Sequence, residues 1–296
     1  MKKSIILFLF VSVQAFSQQT TFEGTLLDAK TKKPIVYANI SFIQSTKGIS
    51  TTENGSFFMY LQQKYLKGKV HISCLNYKDT IVNASDINNK TLFMLPKEIV
   101  LDEAIITKRI DRTITLDKVK KKVIGVHSGG MRMMAKYFPN TKKNNCCNYV
   151  SKVAIYFSKR HNKKAKFRVR VFDRDEKTGL PKNDLLNVNL PVTISEGQLQ
   201  TEIDLSNYSI EMPKNGLFIA FEKLFIPFNS YNNSITESDK RLDVLYAPII
   251  GFTKYNYKKP KDRNYYYVKG NWFLSSFNKI KRFRKFAPAI SLTLSN

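Results

Sequence analysis

Residues 22–61 read FEGTLLDAKTKKPIVYANISFIQSTKGISTTENGSFFMYL, and this stretch decides the fold of the amino-terminal part of the chain. Apolar and polar residues alternate within short runs, which is the pattern of half-buried β-strands. Turn signals separate the runs: Asn54 and Gly55 together favour a tight hairpin, and Thr31 to Pro34 mark a turn before the next strand. With the residues that follow up to residue 96, roughly seven short strands fit, so we expect a small β-sandwich.

The same residues carry a family resemblance. The matching positions are glycines, turn residues and core residues at the spacing of the family: Gly24, Asp28, Thr31, Pro34, Ala38, Asn39, Gly48, Thr52, Asn54, Gly55 and Phe57. On these positions, residues 20–96 resemble the carboxypeptidase regulatory-like domain, a transthyretin-type sandwich that we expect to have seven strands here. The resemblance implies an accessory module without catalytic groups, found on exported bacterial proteins and often at the amino end of TonB-dependent receptors. We therefore expect a short relative of those proteins, with the same first module and a different second domain.

The first 17 residues have the composition of a secretory signal peptide. Lys2 and Lys3 precede a short apolar run, and small residues at Ala15 and Ser17 favour cleavage before Gln18. The apolar run is shorter than the roughly 20 residues that a membrane-spanning helix needs. We expect an exported protein of the periplasm or the outer membrane and cell surface, without a transmembrane span after cleavage.

The chain is strongly basic, and this bears on its partners. Its 296 residues include 49 Lys and Arg but only 23 Asp and Glu, a net charge of +26 that becomes +24 when Lys2 and Lys3 leave with the signal peptide. An exported basic surface favours anionic partners such as an acidic polysaccharide, a lipid head group or an acidic protein face, and the export signal disfavours nucleic acid. The alternative is a solvated surface with no partner, because the lysines are scattered along the sequence.

Residues 97–125 are interpreted as a connector, so the first domain is placed at residues 18–96 and the second at residues 126–296. The second domain again consists of short alternating runs, which predict a jelly-roll-like β-sandwich. Its stretch KFRVRVFDRDEKTGLPKNDLL, which begins at residue 166, resembles galactose-binding-like jelly rolls. The fold class predicted for the whole chain is all-β.

The residues that a catalytic or metal site would need are missing from the sequence pattern. None of the three histidines, His71, His127 and His161, has the nearby Glu of a zinc peptidase. Asp173 and Asp175 open a DRDEKTG stretch that has too few oxygen ligands in register for calcium. We therefore expect no catalytic residue, no metal and no cofactor.

Glu222 is unusual because it interrupts the apolar run LFIAFEKLF. A carboxylate buried in such a strand needs a partner. Arg168 and Arg170, which share one face of the strand FRVRVF, could supply it as a structural ion pair. A cleft with a second carboxylate near Glu222 and no arginine partner would instead indicate a glycoside hydrolase.

An aromatic and basic stretch, FTKYNYKKPKDRNYYYVKGNWF from residue 252, is the candidate binding surface. Its ligand-binding candidates are Tyr255, Tyr257, Tyr265, Tyr267, Trp272 and Lys269. Aromatic faces can stack on sugar rings and cations can hold acidic groups. Because one face of a strand must be core, about half of these aromatic residues are expected to pack inward.

The sequence thus predicts a non-catalytic, exported cell-envelope binding or accessory protein that binds a polysaccharide or an envelope protein. Two alternatives stay open at this point: a structural or assembly protein that docks to an outer-membrane component, and an enzyme of unrecognised type in the second domain. The cysteines do not distinguish them, since Cys74 alternates with core positions and the neighbouring Cys146 and Cys147 lie in a polar loop.

Overall fold

The computed structural model describes residues 19–43, 45–97, 111–119, 123–125, 132–144, 146–159, 163–232, 244–255, 264–275 and 285–296. The predicted signal peptide and residues 98–110 of the predicted connector lie outside these ranges. Nearly all regular structure in the described residues is β-strand, which confirms the predicted all-β class. The α-helix found there, α1 (Ala84–Ile87), has four residues. Short 3-10 turns cover Gln63–Lys67, Lys142–Asn144, Ser206–Tyr208 and Pro227–Asn229.

The first unit, residues 19–97, is a sandwich of seven strands. They are β1 (Gln19–Asp28), β2 (Asn39–Phe42), β3 (Gly48–Ser50), β4 (Ser56–Gln62), β5 (Lys69–Ser73), β6 (Thr80–Asn83) and β7 (Lys90–Met94). One sheet has the order β4-β1-β7 and the other the order β3-β2-β5-β6. The number of strands and their division into two sheets agree with the sandwich that the sequence predicts.

Alternation in these strands builds the core of the first unit. Phe22 of β1 packs on Phe57 of β4 with 5.0 Å between ring centroids, and both side chains are buried. The hairpin before β4 depends on Gly55, whose φ of 77° lies in the left-handed region. A Cβ atom there would lie 2.6 Å from the carbonyl oxygen of Leu26, so only glycine fits this turn without strain.

The second unit comprises the described residues from 111 onward. Its strands are β8 (Thr113–Leu116), β9 (Ile124–Gly125), β10 (Met133–Phe138), β11 (Tyr149–Tyr156), β12 (Ala165–Arg174), β13 (Pro181–Asp184), β14 (Pro191–Ile194), β15 (Gln200–Asp204), β16 (Leu217–Lys223), β17 (Ser230–Asn232), β18 (Val244–Tyr246), β19 (Gly251–Lys254), β20 (Asn264–Val268), β21 (Asn271–Leu274), β22 (Phe286–Pro288) and β23 (Ile290–Ser295). Two of these strands, β8 and β9, come from the stretch that the sequence analysis assigned to the connector.

Two large sheets enclose the main core of the second unit. A seven-stranded sheet has the order β13-β12-β16-β10-β20-β21, with β14 also paired to β12, and a four-stranded sheet has the order β15-β11-β23-β8. Two smaller sheets, β22-β19-β9 and β17-β18, complete the unit. Val169 and Phe221 of the larger sheet and Val153 and Leu292 of the smaller one belong to one buried cluster. The assignment to the galactose-binding-like jelly rolls stays a prediction.

The seven-stranded sheet is strongly curved. Phe172 lies on β12 and Trp272 on β21, four strand spacings apart, which would be about 19 Å in a flat sheet. Their ring centroids are only 5.5 Å apart. The face that carries both rings, opposite the main core, is therefore concave.

The two units are joined by direct contacts between β3 and the residues after β16. The backbone N–H of Ser50 donates to the carbonyl oxygen of Phe225 at 3.0 Å, and the N–H of Phe225 donates to the Ser50 hydroxyl at 3.1 Å. Within the described residues, no helix has the length and apolar character needed to cross a membrane.

Candidate functional site

The concave face of the seven-stranded sheet brings together the two groups of residues that the sequence analysis identified separately. One row of paired residues crosses it in the order Arg168, Glu222, Met133, Tyr267 and Trp272. Because directly paired residues on adjacent strands share a face, the charged cluster and the aromatic hairpin are neighbours. The buried charged cluster and the aromatic hairpin therefore lie side by side on one face of the sheet.

Glu222 is fully buried and is surrounded by guanidinium groups. Arg168 donates to both of its carboxylate oxygens, from Nε at 3.0 Å and from Nη2 at 2.9 Å. Arg170 donates from Nη1 at 3.3 Å and also pairs with Asp184. Arg132, which the sequence analysis missed, donates from Nε at 3.4 Å. All three predicted residues of the ion pair thus meet in one cluster.

The cluster keeps its charges at neutral pH. Burial alone would raise the pKa of the Glu222 carboxyl, but Arg168, Arg170 and Arg132 outweigh burial and hold that pKa below its usual range. Burial lowers the pKa of Arg132 to about 10, against the opposing effect of Glu222, so this guanidinium also stays protonated. The carboxylate is thus both fully buried and paired with three guanidinium groups.

The first unit covers one end of the cluster. The Asn39 side chain donates from Nδ2 to Oε1 of Glu222 at 2.6 Å, and its own oxygen accepts a hydrogen bond from the Ser50 hydroxyl at 3.1 Å. Arg132 donates from Nη1 to the Ser41 hydroxyl at 3.1 Å. The buried charges of the second unit are therefore part of the contact between the two units.

A small cavity opens beside Arg132, between the two units. Its volume is about 20 Å³, and its lining includes Ser41, Ser45, Thr46, Lys47, Arg132 and Lys269. Arg132 is only 5% exposed, and its Nη2 has no hydrogen-bond partner among the described residues. A buried donor of this kind is costly unless a water or a ligand oxygen accepts from it.

The predicted aromatic candidates divide into core and surface residues. Tyr265 is 5% exposed and packs edge-on against Phe218 at 5.0 Å, so it belongs to the core and offers no ring face to a ligand. Tyr255 is also buried, with Nζ of Lys136 at 3.7 Å from its ring centroid. Both were expected as ligand-binding candidates, and burial removes them from that role. Tyr257 lies outside the described residues.

Tyr267 and Trp272 stay partly exposed on the concave face. Their ring centroids lie 5.2 Å apart in a T-shaped contact, and Trp272 also packs edge-on against Phe172. Lys269 is exposed in the turn between β20 and β21, where it has a φ of 52° before Gly270 at 79°. These two left-handed residues give the hairpin its tight turn, and Lys269 lines the same small cavity as Tyr267.

The opposite face of the same hairpin carries a second aromatic pair that was not among the candidates. Tyr266 and Phe273 stack with centroids 5.6 Å apart, and Phe273 is 43% exposed. Alternation indicates that they share a face, but the sequence holds no signal that this face lies outside the core.

The Asp173–Gly179 stretch forms a turn. Oδ1 of Asp175 accepts the backbone N–H groups of Lys177 at 3.1 Å and Thr178 at 2.8 Å. The hydrogen bond from the Thr178 backbone, together with Lys182, holds the pKa of Asp175 below its usual range. In the part of the chain that the structure describes, no group of three or more His, Cys, Asp or Glu side chains is placed to hold a metal ion.

The cysteines are free thiols. Cys74 is buried, as its alternation predicts. Cys146 is exposed and Cys147 buried, and their sulfur atoms lie 2.7 Å apart. None of the three lies in the row of residues that crosses the concave face.

Comparisons with known proteins identify no family. No protein-family model matches the chain, and no curated protein matches its sequence. The cysteine protease and lectin-like domains of Cwp84, a surface layer associated protein of Clostridium difficile, align at 12% identity over 56% of this chain and 32% of theirs, with a TM-score of 0.33. Cwp84 after propeptide cleavage aligns at 12% identity over 77% of this chain and 52% of its own, with a TM-score of 0.38.

A candidate carbohydrate-binding protein of Bacteroides uniformis aligns at 12% identity over 78% of this chain and 97% of its own, with a TM-score of 0.19. At these scores the likenesses establish no shared fold. The chain spans about a third and about half of the two Cwp84 chains.

Proposed function

We propose that this protein is a non-catalytic binding protein for acidic polysaccharide, and that the β20–β21 hairpin provides the binding surface. The observation that carries the proposal is the fixed pair of partly exposed rings, Tyr267 and Trp272, with Lys269 in the adjoining turn. Rings held by neighbouring aromatic residues lose little conformational freedom when a sugar stacks on them. A cation beside such rings favours a sugar that carries an acidic group.

The charge of the chain supports an anionic ligand. The net charge of +24 that remains without Lys2 and Lys3 raises the local concentration of anionic polymers at the surface. Glu222, the carboxylate in the same row of the sheet, is paired with Arg168 and Arg170 and therefore presents no unpaired negative charge to the hairpin. The binding surface is therefore suited to uronic acids or sulfated sugars more than to neutral ones.

Export to the cell envelope is part of the proposal. It rests on the signal-peptide pattern of residues 1–17 and on the resemblance of residues 20–96 to the carboxypeptidase regulatory-like module. In this arrangement the first module is an accessory domain, and the second domain carries the ligand. A hydrolase would need a carboxylate open to a cleft, and the full burial of Glu222 does not support one there.

A second candidate function, docking to an outer-membrane component, is favoured by a different observation. Strand β4 is an edge strand of its sheet, and it exposes Tyr60 by 66% and Phe58 by 42%. The two rings form a T-shaped pair at 5.1 Å. An exposed aromatic edge of this kind is a feature of protein-docking strands.

Binding of purified residues 18–296 to acidic and neutral polysaccharides, at low and high salt, tests the proposed function. We expect saturable binding to acidic polymers that persists at high salt. Trp272→Ala should weaken it about threefold to tenfold, which corresponds to the roughly 0.5–1.5 kcal/mol of an aromatic contact. Tyr60→Ala, which removes an exposed ring of the first unit, should leave binding unchanged.

Other results would separate the alternatives. Binding that disappears at high salt would point to general electrostatic attachment and not to a site. No binding to any polymer, together with an envelope protein that cross-links to wild type but not to Tyr60→Ala, would favour the docking function.

A further inference from the structure

The cavity beside Arg132 has the donor set of an anion site. Arg132 supplies a guanidinium, three hydroxyl groups come from Ser41, Ser45 and Thr46, and Lys47 and Lys269 add two ammonium groups. No acidic side chain lines the cavity among the described residues. Cationic side chains and hydroxyl groups, with no carboxylate among them, form a lining that suits a carboxylate or sulfate.

The hydrogen-bond donors of Arg132 are only partly paired within the described residues. Its Nε contacts Glu222 at the long distance of 3.4 Å, and Glu222 is shared with Arg168 and Arg170. Its Nη1 donates to Ser41, and its Nη2 has no acceptor among the described residues. This cation, 5% exposed, retains donor capacity where the cavity lies.

We infer that this cavity binds the carboxylate of an acidic sugar and is the charged end of the polysaccharide site. The inference rests on the proposed function, and it names the chemical group that the site recognises. A volume of about 20 Å³ admits one oxygen of the carboxylate in place of a water and excludes a sugar ring. The ring of the same sugar therefore stays outside, beside Tyr267, which also lines the cavity.

The position of the cavity links binding to the contact between the units. Ser41, Ser45, Thr46 and Lys47 belong to the first unit, whereas Arg132 and Lys269 belong to the second. A carboxylate that accepts hydrogen bonds from residues of both units bridges them. The ligand then binds the docked arrangement and stabilises it by mass action.

Calorimetric titration of residues 18–296 with polygalacturonate, with its methyl ester as the uncharged match, tests the site. The double variant Lys47→Ala/Lys269→Ala should weaken polygalacturonate binding about tenfold, because two charge-assisted contacts at the cavity mouth are lost. The control Lys177→Ala/Lys214→Ala removes the same charge from an exposed site elsewhere on the second unit and should change the affinity less than about twofold. The methyl ester should bind wild type and both double variants with the same weak affinity.

The failure of this inference differs from the failure of the proposed function. Equal weakening by both lysine pairs, or equal affinity for polygalacturonate and its ester, would overturn the carboxylate site while polysaccharide binding stands. If no polymer binds, the proposed function fails, and thermal unfolding in sodium galacturonate then tests the cavity alone. A rise in Tm in wild type that is lost in Lys47→Ala/Lys269→Ala supports the site, and no rise overturns it.

Discussion

Replacing Glu222 by Gln should destabilise the protein more than any exposed charge substitution. The carboxylate accepts five hydrogen bonds, two from Arg168, one each from Arg170, Arg132 and Asn39. Gln keeps one oxygen but presents an NH₂ group to donors that need an acceptor. It also leaves the guanidinium groups of Arg132, Arg168 and Arg170 with Asp184, the partner of Arg170, as the carboxylate in direct contact with them. Breaking a buried ion pair from one side costs about 3–5 kcal/mol, and we expect a loss of that size in the free energy of unfolding.

Urea unfolding at neutral pH measures this loss directly. Trp272 is the single tryptophan of the chain and lies in the same row of the sheet as Glu222, so its fluorescence reports on the unit that contains the cluster. Glu202→Gln is the matched control, because Glu202 pairs with Lys152 where both side chains are about half exposed (57% and 44%). The urea midpoint of the Glu202→Gln variant should stay close to that of wild type. A loss of less than about 1 kcal/mol for Glu222→Gln would refute the view that the cluster stabilises the fold as a unit.

Two further predictions follow from burial in the same region. The arginines hold the pKa of Glu222 below its ordinary value of 4.5, against the effect of burial. The contribution of Glu222 to stability is therefore complete above pH 4.5, the pKa of the unfolded state, and is lost as pH falls through the lower pKa of the folded state. The difference in unfolding free energy between wild type and Glu222→Gln should therefore be constant from about pH 7 to 5 and shrink in more acidic urea titrations. Tyr265→Ala should cost about 3 kcal/mol of stability, because the ring is buried against Phe218. If Tyr265→Ala instead keeps full stability and loses polysaccharide affinity, our assignment of this ring to the core is wrong.

The alternation of apolar and polar residues predicts a large part of this structure. It indicates the all-β class, the seven strands of the first unit and the shared face of Arg168 and Arg170. The carboxylate in LFIAFEKLF points to a buried ion pair because an unpaired charge would not be tolerated in such a strand. These features are local, since each depends on residues within one strand or on the general cost of burying a charge.

The partners of the cluster from elsewhere in the chain could not be predicted in the same way. Asn39 and Glu222 are 183 residues apart, and Arg132 and Glu222 are 90 apart. Alternation assigns each residue to a face of its own strand, but it does not tell which other strand or unit covers that face. Register and docking depend on the whole set of contacts, so the meeting of β2 with the end of β16 appears only in the structure.

The aromatic hairpin shows where alternation misleads about function. In a flat, one-sided sheet, Tyr265 and Tyr267 would be equally exposed, because they are two residues apart on one face. Packing makes them different: Tyr265 packs against Phe218 and is 5% exposed, whereas Tyr267 stays partly exposed. The curvature of the sheet brings Trp272 across to Phe172, and Tyr267 lines the cavity beside Arg132. On the proposed function, ligand affinity should respond to substitution of Tyr267 or Trp272, which are partly exposed, and not to substitution of the buried Tyr265.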